Sequence, residues 1–506
     1  MTLCRPPPMI FVTKVLRSCL WAILLCVMLA QPVYGGGWSF ALQQGRMDID
    51  LPDYENDAWK AVGIRAKVVN SIQASSEQLR VTFKPGSHLA IGRVDGPGVE
   101  LHNVRVNLDG VGLTVELGGS DPLPERTRID GQLSFDIGEL THPRLIPQRW
   151  RFEGMVHGAL AGLELNGRLE SGAGLALDLS LRNQFDDEVI ANLRLSGAAQ
   201  AAGNVLSATL NDWPELLSLD SGELVLETSL RIQPGAPLTL DARLEFTEVS
   251  GIVDRTAVTG LSGRLLLGLE DGEVSAGLRD FWVKEVDSGI GVGPIRLLAD
   301  YQAEVASPLA GKLALHQATA DFLGGRLRIA PRTVDFSAQP WHLPLEVYDL
   351  SLERVLQLYP TEGLSGTGRL TGRLPIRVTQ SGVEVERGTL FAEAPGGVLT
   401  MPADRLRALL GGSDAMALVV QALQNFHYSV LSSTIHYDEK GKLSLGVKLE
   451  GENPDYRGGQ PVVLNINLEE DIPALLTSLQ LSGRVNEAVT ERVRERLKQS
   501  GQEAVP

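Results

Sequence analysis

The chain has 506 residues, 43% of them hydrophobic but only 5% aromatic, with 46 Lys and Arg against 62 Asp and Glu for a formal net charge of -16. An acidic chain without a Lys/Arg cluster argues against nucleic-acid binding, which rests on neutralised phosphates, and so few aromatics leave little for stacking platforms. The length would allow three or four ordinary domains, yet the residue pattern hardly changes after the first 45 residues, which favours one extended architecture.

Those first residues form a leader. Arg5, Lys14 and Arg17 precede an apolar run from Cys19 to Ala30, and no charge appears between Arg17 and Arg46. This is a signal-peptide pattern, with Val33 and Gly35 suiting cleavage after Gly35. The alternative is an uncleaved anchor, since the uncharged stretch from Ser18 to Gly45 is long enough to cross a bilayer. All three cysteines, Cys4, Cys19 and Cys26, fall inside this segment. The exported part therefore has neither a disulfide framework nor a thiolate metal site. Arg17 lies two before Cys19 and Leu25 directly before Cys26, so neither cysteine has a lipoprotein signature.

Next comes an acidic segment with Asp48, Asp50, Asp53, Glu55 and Asp57. It lacks the spacing of a calcium loop and reads as solvated surface. Strands are expected from about Leu79. Val104, Val106 and Leu108 alternate with Arg105 and Asn107, and after Asp109-Gly110 the pattern resumes at Leu113, Val115 and Leu117. Asp-Gly between alternating runs predicts a hairpin.

The same alternation continues in Leu163, Leu165, Gly167 and Leu169, then in Leu175, Leu177, Leu179 and Leu181. It recurs in Leu224, Leu226, Leu230 and Ile232, in Leu238, Leu240, Leu244 and Phe246, in Leu370, Leu374 and Ile376, and in Leu443, Leu445, Val447 and Leu449. Side chains on a strand alternate faces, so these runs predict antiparallel sheet with one aliphatic side and one wet side. No fixed-length repeat indicates a propeller or solenoid. At roughly 13 to 15 residues per strand and turn, the chain holds on the order of 30 strands, about 140 Å of sheet at strand spacing.

Helices are few. Leu350–Tyr359 carries apolar residues at helical spacing, and Pro402–Asn425 reads as two helices broken at Gly411-Gly412, with Ser413 capping the second. Val485, Val489, Val493 and Leu497 mark an amphipathic C-terminal helix, either a lid on the last strands or a docking helix for a membrane or partner.

Catalytic patterns are lacking. His427 and His436 are the nearest histidine pair, without a zinc signature, and no serine sits in a nucleophile elbow. Gly366, Gly368 and Gly372 resemble a dinucleotide fingerprint, but Leu370, Leu374, Ile376 and Val378 continue at strand period where that motif needs a helix. No enzyme activity and no cofactor is expected.

A set of segments carries a family resemblance. Leu323-Gly324-Gly325-Arg326-Leu327 is followed by GTGRLTGRLPI over Gly366–Ile376, Gly382-Val383-Glu384-Val385, and Pro395-Gly396-Gly397-Val398. Then come Ala422–Tyr428, Leu449–Pro454 and Asn465–Leu476. In order and spacing these resemble the C-terminal domain of the YdbH family, relatives of the AsmA and TamB proteins of Gram-negative envelopes, over roughly Ala320 to Leu497. The resemblance implies an AsmA-like β-taco, an elongated antiparallel sheet folded lengthwise into a hydrophobic groove. It further implies a periplasmic bridge-like carrier of phospholipid, held at the inner membrane by its N-terminal segment.

On that reading residues 1–35 are signal or anchor, 36–319 the groove domain, and 320–506 the family-like C-terminal domain. Leu163, Leu165, Leu175, Leu177, Leu179, Leu224, Leu226, Leu238, Leu240, Leu370, Leu374, Ile376, Leu443, Leu445, Val447 and Leu449 are groove-lining candidates. An open sheet end near Val462, Leu464, Ile466 and Leu468 is the candidate edge for strand addition by a small outer-membrane lipoprotein. The alternative is a periplasmic assembly or chaperone factor for outer-membrane proteins.

Overall fold

The computed structural model describes residues 38–56, 58–118, 120–184, 188–233, 235–358, 364–402, 420–455 and 459–478. The expected leader, most of the helical pair over 402–425 and the helix over 485–497 lie outside these residues. Within them the protein is mainly β: thirty strands hold 69% of the described residues, with antiparallel pairing. Turn chemistry favours this arrangement. Phe322 pairs with Gly325 around Leu323 (φ 44°) and Gly324 (φ 76°), and two successive positive-φ residues make the turn whose twist suits a hairpin.

Packing divides the chain into two compact units, Met1–Phe246 with Leu265–Ser275, and Thr247–Arg264 with Ala276–Pro506. In the first unit strands occur earlier than expected, from Ser39–Asp50, which pairs with Arg65–Ser75 and leaves most of its side chains exposed. The acidic segment is therefore partly strand, though solvated. An anchor reaching Gly45 is not compatible with this strand, so any such anchor ends before Ser39.

The Asp109-Gly110 hairpin is also corrected. Val99–Asn107 and Gly112–Glu116 do not pair with each other; both lie along one long strand, Thr127–His142. Likewise Gln78–Phe83 and His88–Gly96 both pair with Arg65–Ser75. Each couple is a single strand with a kink, and the two kinks are tied together. The Asp109 carboxylate accepts from the backbone N–H groups of Gly86 and Ser87 at 2.8 and 3.1 Å, while the buried Ser87 hydroxyl donates to Val69 and Lys84 carbonyls. Gly110 takes φ 81°, a conformation that serves a mid-strand kink as well as a hairpin. Beyond Thr127–His142 the unit is a meander: Leu145–Ala159, Gly162–Ser171, Ala176–Gln184, Glu188–Ala198 and Leu217–Ile232 each pair with the next.

Between the last two lies a helix the alternation analysis missed, Ala199–Ser207, sequence AQAAGNVLS. Its alanines are the local signal, since alanine has the highest helix propensity. The second unit continues as hairpins from Ile295–Glu304 to Val462–Asp471. Arg369–Val378 is strand, as the reading against a dinucleotide site required. The helix expected over Leu350–Tyr359 is shorter, Leu352–Gln357, because Leu350 and Ser351 still belong to the preceding strand, and the Ser351 hydroxyl accepts from the Arg354 N–H as N-cap.

Candidate functional site

Register gathers the alternate residues of each unit onto one face. In the first unit Phe152 stands between Phe135 and Leu169, and Leu169 faces Leu177. Leu165 faces Leu181, Leu179 faces Leu193, and Leu195, Ala191 and Val189 face Leu226, Leu230 and Ile232. The opposite face carries ion pairs: Arg182 with Glu164 at 2.9 Å, Arg231 with Glu188 at 3.2 Å, and Arg194 with Glu227 at 3.3 Å. In the second unit Leu345 faces Leu374, Ile376 faces Val385, Ile435 faces Leu445, and Leu445 faces Leu468. The face is aliphatic from one strand to the next.

Its cover is uneven. Leu79, Val81, Val115 and Phe152 are at most 1% exposed. An exposed flat sheet leaves its face wet, so such burial requires the sheet of this unit to curl over its own apolar side. Phe152 stacks on Phe135 with centroids 4.9 Å apart. Its ring tip lies 2.6 and 2.8 Å from where a Cβ on Gly154 or Gly167 would stand, so glycine at both cross-strand partners makes room for it. Farther along, the face opens. Between 176 and 232 the only fully buried apolar side chains among the described residues are Ala199, Ala202 and Leu224, while Leu177, Leu179, Leu181, Leu193, Leu195 and Leu230 are half-buried.

What cover there is lies at one end of the strands. Helix Ala199–Ser207 brings Val205 and Leu206 against Leu175, Ile137 and Trp150. In the second unit Leu352, Val420, Leu423, Phe426 and Tyr428 pack over Leu370, Leu431 and Leu449. The Tyr428 hydroxyl donates to the Thr367 carbonyl at 2.5 Å, and burial raises its pKa. At the other strand ends Leu163, Ile232, Ile376 and Leu443 remain half-buried. Among the described residues, each unit thus presents an aliphatic face covered at one strand end and half-buried at the other.

No polar constellation competes with it. Among the described residues no group of three His, Cys, Asp or Glu side chains could hold a metal, and no helix is long and apolar enough to cross a membrane. His427 contacts the Asn425 side chain and His436 the Glu386 carbonyl.

The family model for YdbH-like proteins, described as intermembrane phospholipid transport protein YdbH, matches residues 124–494. The chain belongs to the YdbH-like family. The match starts well before Ala320, where the resemblance in sequence was clear, and so takes in strands of both units. No curated protein matches the chain. Membership in this family and the large antiparallel sheet fit a lipid-transport role, and the family is not a known enzyme family.

The predicted lining residues separate into groups. Leu165, Leu175, Leu224, Leu370 and Leu449 are buried under cover. Leu163, Leu177, Leu179, Leu226, Leu240, Leu374, Ile376, Leu443, Leu445 and Val447 are half-buried in strands. Leu238 lies in the connection before the strand Thr239–Val253 and is 36% exposed. Val462, Leu464 and Ile466 continue the aliphatic face with Leu449, Val447 and Gly451 as neighbours, and Leu468 is exposed. Their strand pairs with Lys442–Glu452, and no second partner strand occurs among the described residues.

Sequence reasoning missed Phe135, Phe152, Val189, Leu193, Leu345 and Ile435, which share the same faces. Leu193 and Leu195 flanking Arg194 carried the alternation signal; Phe152 did not, because Gly154 interrupts it.

Proposed function

We propose that this chain is a non-enzymatic bridge-like carrier moving phospholipid between the inner and outer membranes of a Gram-negative envelope. Acyl chains lie against the half-covered aliphatic face and headgroups stay in water at its open rim. The observation that carries this reading is the row of half-buried aliphatics from Leu177 to Leu230, with Leu445 and Val447 as its counterpart in the second unit. Burial is worth about 0.8 kcal/mol per methylene, so a chain of about 15 methylenes gains on the order of 12 kcal/mol against such a surface, enough to offset leaving a bilayer. Similar side chains recur at the strand spacing of about 4.8 Å, which gives neighbouring positions similar energies and favours sliding over capture.

Residues 36–319 form the groove domain and 320–506 the YdbH-like C-terminal β domain, and the N-terminal segment before Ser39 directs export or holds the chain at the inner membrane. The edge of Val462–Asp471 takes a strand from a small outer-membrane lipoprotein.

The test is lipid mass spectrometry of the purified protein. Co-purified phospholipid is expected for the wild type and its loss for Leu177→Glu or Leu445→Glu with the fold intact. Recovery of unfolded outer-membrane proteins without lipid would overturn the reading and favour an assembly factor.

A further inference from the structure

On the second unit, a cleft of about 1000 Å³ opens beside the hairpin turn at Leu323-Gly324, lined mainly by charged and polar residues with Phe322 and Leu323 at its hydrophobic side. That is at the upper end of the range for small-molecule sites, about 300–1,000 Å³. Arg326, Arg328, Arg354 and Arg369 line it. Three carboxylates share the cleft, of which Asp321 is paired with Arg326 at 3.4 Å, while Glu285 and Asp349 form no ion pair among the described residues.

Two of the guanidinium groups converge on one point. Arg369 donates to the Asp349 carbonyl at 3.0 Å and reaches toward the Gly324 carbonyl at 3.5 Å. These bonds orient the group without neutralising it. Arg354 lies 3.3 Å from where a Cβ on Gly324 would stand, so the glycine lets its side chain settle over the same turn. Neither arginine has a carboxylate partner among the described residues. Nearby arginines do: Arg373 pairs with Glu346 and Arg377 with Glu384. Two unneutralised guanidiniums drawn together repel one another, and an anion between them relieves that repulsion. The planar donor fork of arginine suits tetrahedral oxyanions through paired N–H bonds.

We propose that this cleft binds a phosphate group, with Arg354 and Arg369 as its principal ligands. The phosphate belongs either to a phospholipid headgroup, an assignment that rests on the carrier reading above, or to a free phosphate ion.

Calorimetric titration of the full-length chain at low salt tests this with two probes that have no acyl chains, inorganic phosphate and glycerophosphoglycerol. Binding is expected, weakening with added salt, and about tenfold weaker in Arg354→Gln, the loss of roughly one charge-assisted bond. Binding of the diester identifies a headgroup site, and binding of inorganic phosphate alone identifies a free-ion site; both uphold the cleft. Because Arg369 also braces the turn, Arg354→Gln is the decisive variant, since the Arg354 side chain is exposed and donates no hydrogen bond to another described residue, with an unchanged melting curve as control. Failure of both probes to bind, or wild-type affinity in Arg354→Gln, overturns the proposal. Neither outcome bears on the aliphatic face, since neither probe can occupy it.

Discussion

In the first unit, the strands from Arg65 to Ser171 and those from Ala176 to Ile232 present the same kind of aliphatic face, but Leu79, Val115 and Phe152 are sealed while Leu179, Leu193 and Leu230 keep part of their surface in water. The chemistry of the alternating residues does not account for this. In the sealed part, kinked strands, stacked Phe135 and Phe152, and the glycine pair Gly154 and Gly167 let the sheet close on itself. In the open part, the helix Ala199–Ser207 adds cover at one strand end, and Leu179 and Leu181 reach the sealed cluster only as half-buried neighbours. Alternation defines a face, and closure depends on what the neighbouring strands can bring over it.

The comparison breaks if both parts respond alike to substitution. Leu79→Glu should have the largest effect: a charge forced into a sealed site costs several kcal/mol, and soluble folded protein should be lost, as read by yield and circular dichroism. Phe152→Ala should lower stability by about 3–5 kcal/mol in urea denaturation, since both the ring burial and the filled space over the glycines disappear. Leu179→Glu, in the open part, should cost only roughly 1 kcal/mol, about half of full leucine burial, while abolishing phospholipid co-purification. Equal destabilisation by Leu79→Glu and Leu179→Glu would mean that the second stretch is also a closed core.

The smallest effect concerns the charged outer side. The Asp300 carboxyl has a lowered pKa, chiefly through its hydrogen bond from Arg279 and secondarily through His316. A depressed folded-state pKa gives stability that is present above the unfolded value of about 3.9 and is lost as pH falls through the folded one. The group is well exposed, so the contribution is slight. Asp300→Asn should lower stability slightly at neutral pH and converge with the wild type as pH falls below about 4, a difference that melting curves across pH would reveal.

Much of this was legible from residue order. The runs at Leu163–Leu169, Leu177–Leu181 and Leu443–Leu449 are strands, and register gathers each run with its neighbours on a shared face. Asp109-Gly110 misled because a positive-φ glycine serves a kink as well as a hairpin, and only the pairing partner distinguishes them. Leu175 and Leu177 look alike in sequence, yet the first is buried beside Trp150 and the second is half-open. Two residues along a strand separate a covered rim from an open trough.

By itself, then, the sequence determined the secondary structure class, the two-sidedness of the sheet and the family, because side-chain alternation and turn chemistry act over a few neighbouring residues. Only the tertiary structure decided which leucines are core and which remain accessible, and that Arg354 and Arg369 meet at Gly324. Those outcomes depend on strand register, curl and covering helices, which join residues far apart in the chain.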